Sequence, residues 1–102
     1  MREIRDVVKT IEHNIREARE KIEKAYHLMD HNRPFADWQR DMASKHLEFN
    51  AKGHEIAKKM ISDVAASTDP LAPGMRAMFE DIHADMMRES AEVKAMIDNY
   101  GK

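Results

Sequence analysis

From Ile4 to Met29 the apolar residues fall at Ile4, Val8, Ile11, Ile15, Ala18, Ile22, Ala25 and Met29, an unbroken alternation of four- and three-residue steps. Only an α-helix brings such a series onto one side, and the 3.5-residue average makes that side a narrow seam of the coiled-coil kind. A strand would scatter the same residues over both faces. The opposite surface carries Glu12/Arg16, Glu17/Lys21 and Glu20/Lys24, each acid four residues before its base, the order that supports a helix and keeps that face in water.

The helix is expected to end where Asn32-Arg33-Pro34 interrupts the pattern, because proline disfavours α geometry in the residue before it and can itself open the next helix. The other break is Ser67-Thr68-Asp69-Pro70-Leu71-Ala72-Pro73-Gly74. The predicted architecture is therefore all-α, with long helices over about 2–31, 34–66 and 74–100 in one domain spanning 1–102. Short connections make neighbours antiparallel, so the chain runs up, down and up. Gly and Pro total six residues, and β-branched residues never cluster, which leaves a sheet little to build from.

Helix two carries two adjacent stripes. One runs Phe35, Trp38, Met42, His46, Phe49, Gly53, Ile56, Met60, and the other Ala43, Leu47, Asn50, His54, Ala57, Ile61, Val64. A face this wide calls for more than one neighbour, so helix two is placed centrally. Helix three presents Met75, Met78, Phe79, Ile82, Met86, Val93, Met96, Ile97 and Tyr100. Three helices on the order of 40 Å long form a thin rod that cannot cover such faces by itself, so a homodimer or higher homo-oligomer is expected.

Composition narrows the function classes. The 102 residues are 42% hydrophobic and 35% charged, with 17 basic and 19 acidic residues interleaved along all three segments, net −2, so no nucleic acid is expected as a partner. No segment approaches the ~20 apolar residues of a membrane span and the N-terminus does not read as a signal peptide; with no cysteine, the cytoplasm is the default location. Phosphate-cradling loops and activated serines are missing, so organic catalysis is not expected.

Polar residues set among apolar ones mark the candidate site. His46, Asn50 and His54 repeat every four residues within the stripes of helix two, and mid-helix Gly53 implies a close approach. Laying the helices side by side, with residues paired about Arg33 and about the second loop, brings Glu12, His13, His54, Glu55, Glu80, His83 and Asp85 to one section of the rod. There Glu80-Asp81-Ile82-His83 resembles the Glu-x-x-His element of ferritin-like carboxylate-bridged di-metal bundles. The resemblance covers these four residues; Ala43 and Ala51 stand where a matching Glu would precede His46 and His54.

Two functional readings follow. The first is a small soluble oligomeric bundle acting through protein–protein interaction and not by catalysis. The alternative is a metal-binding bundle for iron, manganese or zinc, with His54, His83, Glu80 and Glu12 as ligands and the site completed across a dimer. A third, weaker reading makes His46 or His54 a pH-sensitive element of the core. The surface pair His27/His31 and the methionines read as surface polarity and core filler.

Overall fold

The computed structural model describes residues 2–66 and 68–102, without the side chains of residues 2–4 and 65, so Ile4 at the head of the first seam and Ser67 of the second loop lie outside the described residues. It is a three-helix bundle of α1 (Arg2–Leu28), α2 (Arg33–Ala65) and α3 (Ala72–Asn99), and there is no strand among the described residues. The Cα extents are 57 × 19 × 15 Å, the thin rod that the helix lengths imply. No described helix is long and apolar enough to cross a membrane.

The helix ends have local causes. α1 stops at Leu28, three residues short of expectation, because its carbonyl accepts from both His31 N (3.0 Å) and Asn32 N (2.7 Å) in a closing turn. Asn32 then leaves helical geometry (φ −150°, ψ 78°) and its side chain accepts from Phe35 N at 3.3 Å, capping α2, with Pro34 in the first turn. Asp69 Oδ1 accepts from Leu71 N at 2.9 Å and α3 begins at Ala72, two residues early, with Pro73 in its first turn. α3 ends as Tyr100 turns extended, and Gly101 takes the left-handed conformation (φ 81°) that suits glycine.

The α1 seam is the heart of the core, with Ile11, Ile15, Ala18, Ile22 and Ala25 all fully or almost fully buried. α2 meets it along Ala36, Ala43, Asn50 and Ala57, a row of small residues and one amide spaced seven apart, which lets the two backbones come close. Gly53 marks the tightest point. A Cβ built there would lie 3.0 Å from Ile11 Cγ1. α3 closes the core with Met86, Val93, Ile97 and Tyr100.

A second, smaller cluster of Ile61 and Phe79, with Met60, Met75 and Ile82 packed on it, joins the end of α2 to the start of α3 and contains no described side chain of α1. At the opposite end Tyr100 packs edge-on against Tyr26, donates to Asp37 Oδ1 at 2.8 Å, and is flanked by the Arg33 and Arg40 guanidiniums. Those hydrogen bonds from Tyr100 and Arg33 hold the Asp37 carboxyl below the ordinary range. Phe35 and Trp38 belong to the same end but stack on one another, with Lys24 over the Phe35 ring.

Candidate functional site: a histidine pair and an open helix face

The polar stripe of α2 divides into two separate networks. Asn50, 2% exposed, donates to the Ile11 carbonyl (3.1 Å) and accepts from Asn14 Nδ2 (3.0 Å), while His46 Nδ1 lies 3.4 Å from Asn14 Oδ1. These groups satisfy one another across the α1–α2 contact, and no buried side-chain nitrogen or oxygen among the described residues lacks a partner. Burial lowers the His46 pKa, and the nearby Lys21 charge lowers it further.

His54, one turn further along, faces α3. Its Nδ1 lies 3.1 Å from His83 Nε2, and its Nε2 lies 3.2 Å from Ser90 Oγ. Two proton arrangements satisfy this chain. Either Ser90 accepts from His54 Nε2–H and His83 Nε2–H donates to His54 Nδ1, or every donor is reversed. Both rings are half-buried, and burial is the main reason that both pKa values fall below the ordinary 6.5. His83 adds its own charge against protonation of His54, and Lys58 does the same to His83. The pair is therefore neutral near pH 7.

Of the four residues read as metal ligands, the structure brings His54 and His83 together. Glu80 sits one turn before His83 on α3, and its carboxylate accepts from Arg76 Nε at 2.9 Å. Glu12 is elsewhere: it is exposed on α1 and borders the α1–α3 groove with Arg16, Asp85 and Glu89. Among the described residues no group of three or more His, Asp or Glu side chains converges on one point. Glu12 keeps the level beside Asp85 that the pairing predicts, but on the exposed side of α1. Asn14 lies against Asn50 and Ile11 against Gly53, about a turn from the register that would have set them opposite residues 53 and 56, and His13 faces solvent. The α2–α3 register, by contrast, lies within two residues of expectation.

Ser90 was missing from the sequence reading of this site, although it stands one heptad after His83 and so on the same side of α3. Serine, imidazole and a second imidazole form a nucleophile–base–orienter series. Ser90 lies in the middle of α3, however, where the neighbouring backbone N–H groups are engaged within the helix and offer no seat for an oxyanion.

The second feature is the outer face of α2. The stripe beginning at Phe35 leaves its largest members outside the core: Phe35 is 38% exposed, Trp38 51%, Phe49 79% and Ile56 47%. Phe35, Met42, Phe49 and Ile56 recur every seventh residue, flanked by a row of Lys45, Lys52 and Lys59 and then by Asp41, Glu48 and Glu55. On its other side the stripe overlooks a groove of about 870 Å³ between α2 and the α1 wall of Asp6, Val7, Thr10 and Asn14. Both stripes have a helical period; the intramolecular core takes the one with small side chains.

No family model, curated protein or solved structure matches this chain.

Proposed function

We propose that the protein works as an interaction module, with the outer face of α2 as its docking surface and a second copy of the chain as the occupant. The observation that carries this reading is the unpartnered heptad row Phe35, Met42, Phe49, Ile56, whose two aromatics and isoleucine stand in water. Isolated exposed apolar residues are ordinary, but a continuous row along one helix is a surface awaiting cover.

Its size and charge both suit a second copy. From Phe35 to Ile56 the row extends about 32 Å at 1.5 Å per residue, and with the 19 Å breadth of the bundle it gives about 600 Å² of face, within the range of a stable protein interface per partner. A two-fold axis parallel to the row would exchange its flanks. The lysine row of each copy then meets the α1 wall of the other, where Asp6 stands, instead of the other copy's own lysine row. A perpendicular axis would instead oppose lysines to lysines.

Light scattering and sedimentation of the purified chain test this directly. The expected result is a dimer at micromolar concentration, converted to a monomer with unchanged helicity by Phe49→Glu. A monomeric wild-type protein would refute self-association through this face.

A further inference from the structure

We propose that His54 and His83 are the two imidazole donors of a mononuclear site for a divalent transition-metal ion of the zinc type, with Ser90 holding the Nε2 edge of His54 and Glu80 placed to supply a third ligand. The proposal is independent of self-association, since these donors come from α2 and α3 of one chain.

The spacing of the two nitrogens carries the argument. Two ligands each ~2.0–2.1 Å from a tetrahedral metal lie about 3.3–3.4 Å apart. His54 Nδ1 and His83 Nε2 are 3.1 Å apart in a hydrogen bond, so an ion is seated when that bond is given up, the pair opens by a few tenths of an ångström and both rings turn toward a common point. The two rings are tilted at 45° with centroids 5.2 Å apart and are not stacked, so neither ring covers the other's nitrogen.

Ser90 supplies the outer contact that metal-binding histidines ordinarily have. When its Oγ accepts from His54 Nε2–H, the lone pair of His54 rests on Nδ1, aimed at His83. In the empty pair the proton between the rings belongs to His83 Nε2. On binding, that proton moves to His83 Nδ1, and both facing nitrogens present lone pairs with no net change in protons for neutral rings.

His83 also lines a groove with Lys58, Arg76 and Glu80, which His54 does not border. Glu80 and His83 occupy one face of α3 at the three-residue spacing, so a side-chain rotation away from Arg76 brings the carboxylate toward the ion. Lys58, whose charge disfavours a cation at His83, opposes binding and makes the site weaker than a closed structural zinc site.

The probe is Zn2+, titrated by calorimetry into protein purified without a histidine tag, with Co2+ as the spectroscopic substitute. One equivalent is expected per chain. His83→Gln should weaken binding at least tenfold, and Ser90→Ala by about tenfold, the usual cost of losing an outer-shell partner. Arg76→Ala, which frees Glu80, should tighten it. The double variant His27→Gln/His31→Gln, removing the surface pair, should leave it unchanged. Should His83→Gln not fold, the imidazole resonances of the wild-type protein report instead: those of His54 and His83 should shift with Zn2+ before any others. Absence of stoichiometric binding, binding unaffected by His83→Gln, or binding lost with His27 and His31 overturns the proposal.

Discussion

Replacing Gly53 by alanine sets two effects of known size against one another. In the middle of α2, alanine is favoured over glycine by about 1 kcal/mol through backbone entropy alone. The added methyl, however, would stand 3.0 Å from Ile11 Cγ1 and 3.5 Å from its Cδ1, and Ile11 is completely buried. Restoring ordinary contact requires Ile11 or the α1 backbone to retreat by about half an ångström, and overpacking of this kind costs about 1–3 kcal/mol. The clash wins. Gly53→Ala should destabilise the protein by about 1 kcal/mol, lowering Tm by about 4–8 °C for a chain of this size.

The same substitution in an Ile11→Ala background meets open space, so only the helix-propensity gain remains and it should stabilise by about 0.5–1 kcal/mol. Thermal and urea denaturation of the four proteins of this cycle therefore should show a coupling of about 2 kcal/mol between the two positions. A Gly53→Ala protein more stable than wild type would mean that α1 and α2 do not cross this closely, and the register that sets Ile11 against Gly53 would fall with it.

Three further outcomes are expected. Tyr100→Phe removes the hydrogen bond to Asp37 at 2.8 Å and should cost about 0.5–1.5 kcal/mol by denaturation, without changing oligomeric state. His46, His54 and His83 all have pKa values lowered by folding, so the unfolded chain takes up protons first as pH falls. Stability from these groups should be complete above the ordinary histidine value of 6.5 and decline below it toward the lowered folded values. The urea midpoint should fall between pH 7.5 and 5.5, and His54→Gln should flatten that slope. Ile56→Glu should dissociate the dimer as Phe49→Glu does, whereas Lys58→Gln, on the other side of α2, should leave it intact, both read by sedimentation.

The first helix was legible because its seam has a single period and only one way to be buried. For α2 the periods were equally clear, yet they left open which stripe was core, since Phe49 and Ala43 obey the same spacing. Side-chain size settled it: the isoleucine-rich seam of α1 fits a row of alanines at close range, and the larger Phe35, Phe49 and Ile56 are left outside. The breaks at Pro34 and Pro70–Gly74 located the connections, but the first is a capped turn whose path shifts α1 along α2, and no residue announces that offset. His54 and His83 survived the error because the α2–α3 register is nearly as expected. Glu12 did not, since it lies on the exposed side of α1 along the α1–α3 groove, and axial level alone does not say which side of a helix a residue takes. Asn14 and Ser90 were invisible for a related reason: each is an ordinary surface-type residue until its neighbour is known to within one position.

The small Ile61–Phe79 cluster gives the rod unequal ends. The Ile11–Gly53 and Asn14–Asn50 contacts set the start of α1 level with about residue 62 of α2, so past that level only the end of α2, the second loop and the beginning of α3 remain. Amide protection should therefore fall away toward that tip, with the hairpin opening as a unit of its own while the isoleucine seam stays closed. His54 and His83 stand about two turns back from this level, where the helices must stay closed for their nitrogens to keep in register. An ion shared between them would act as a rivet between α2 and α3, and its grip would be felt most in the turns beyond it.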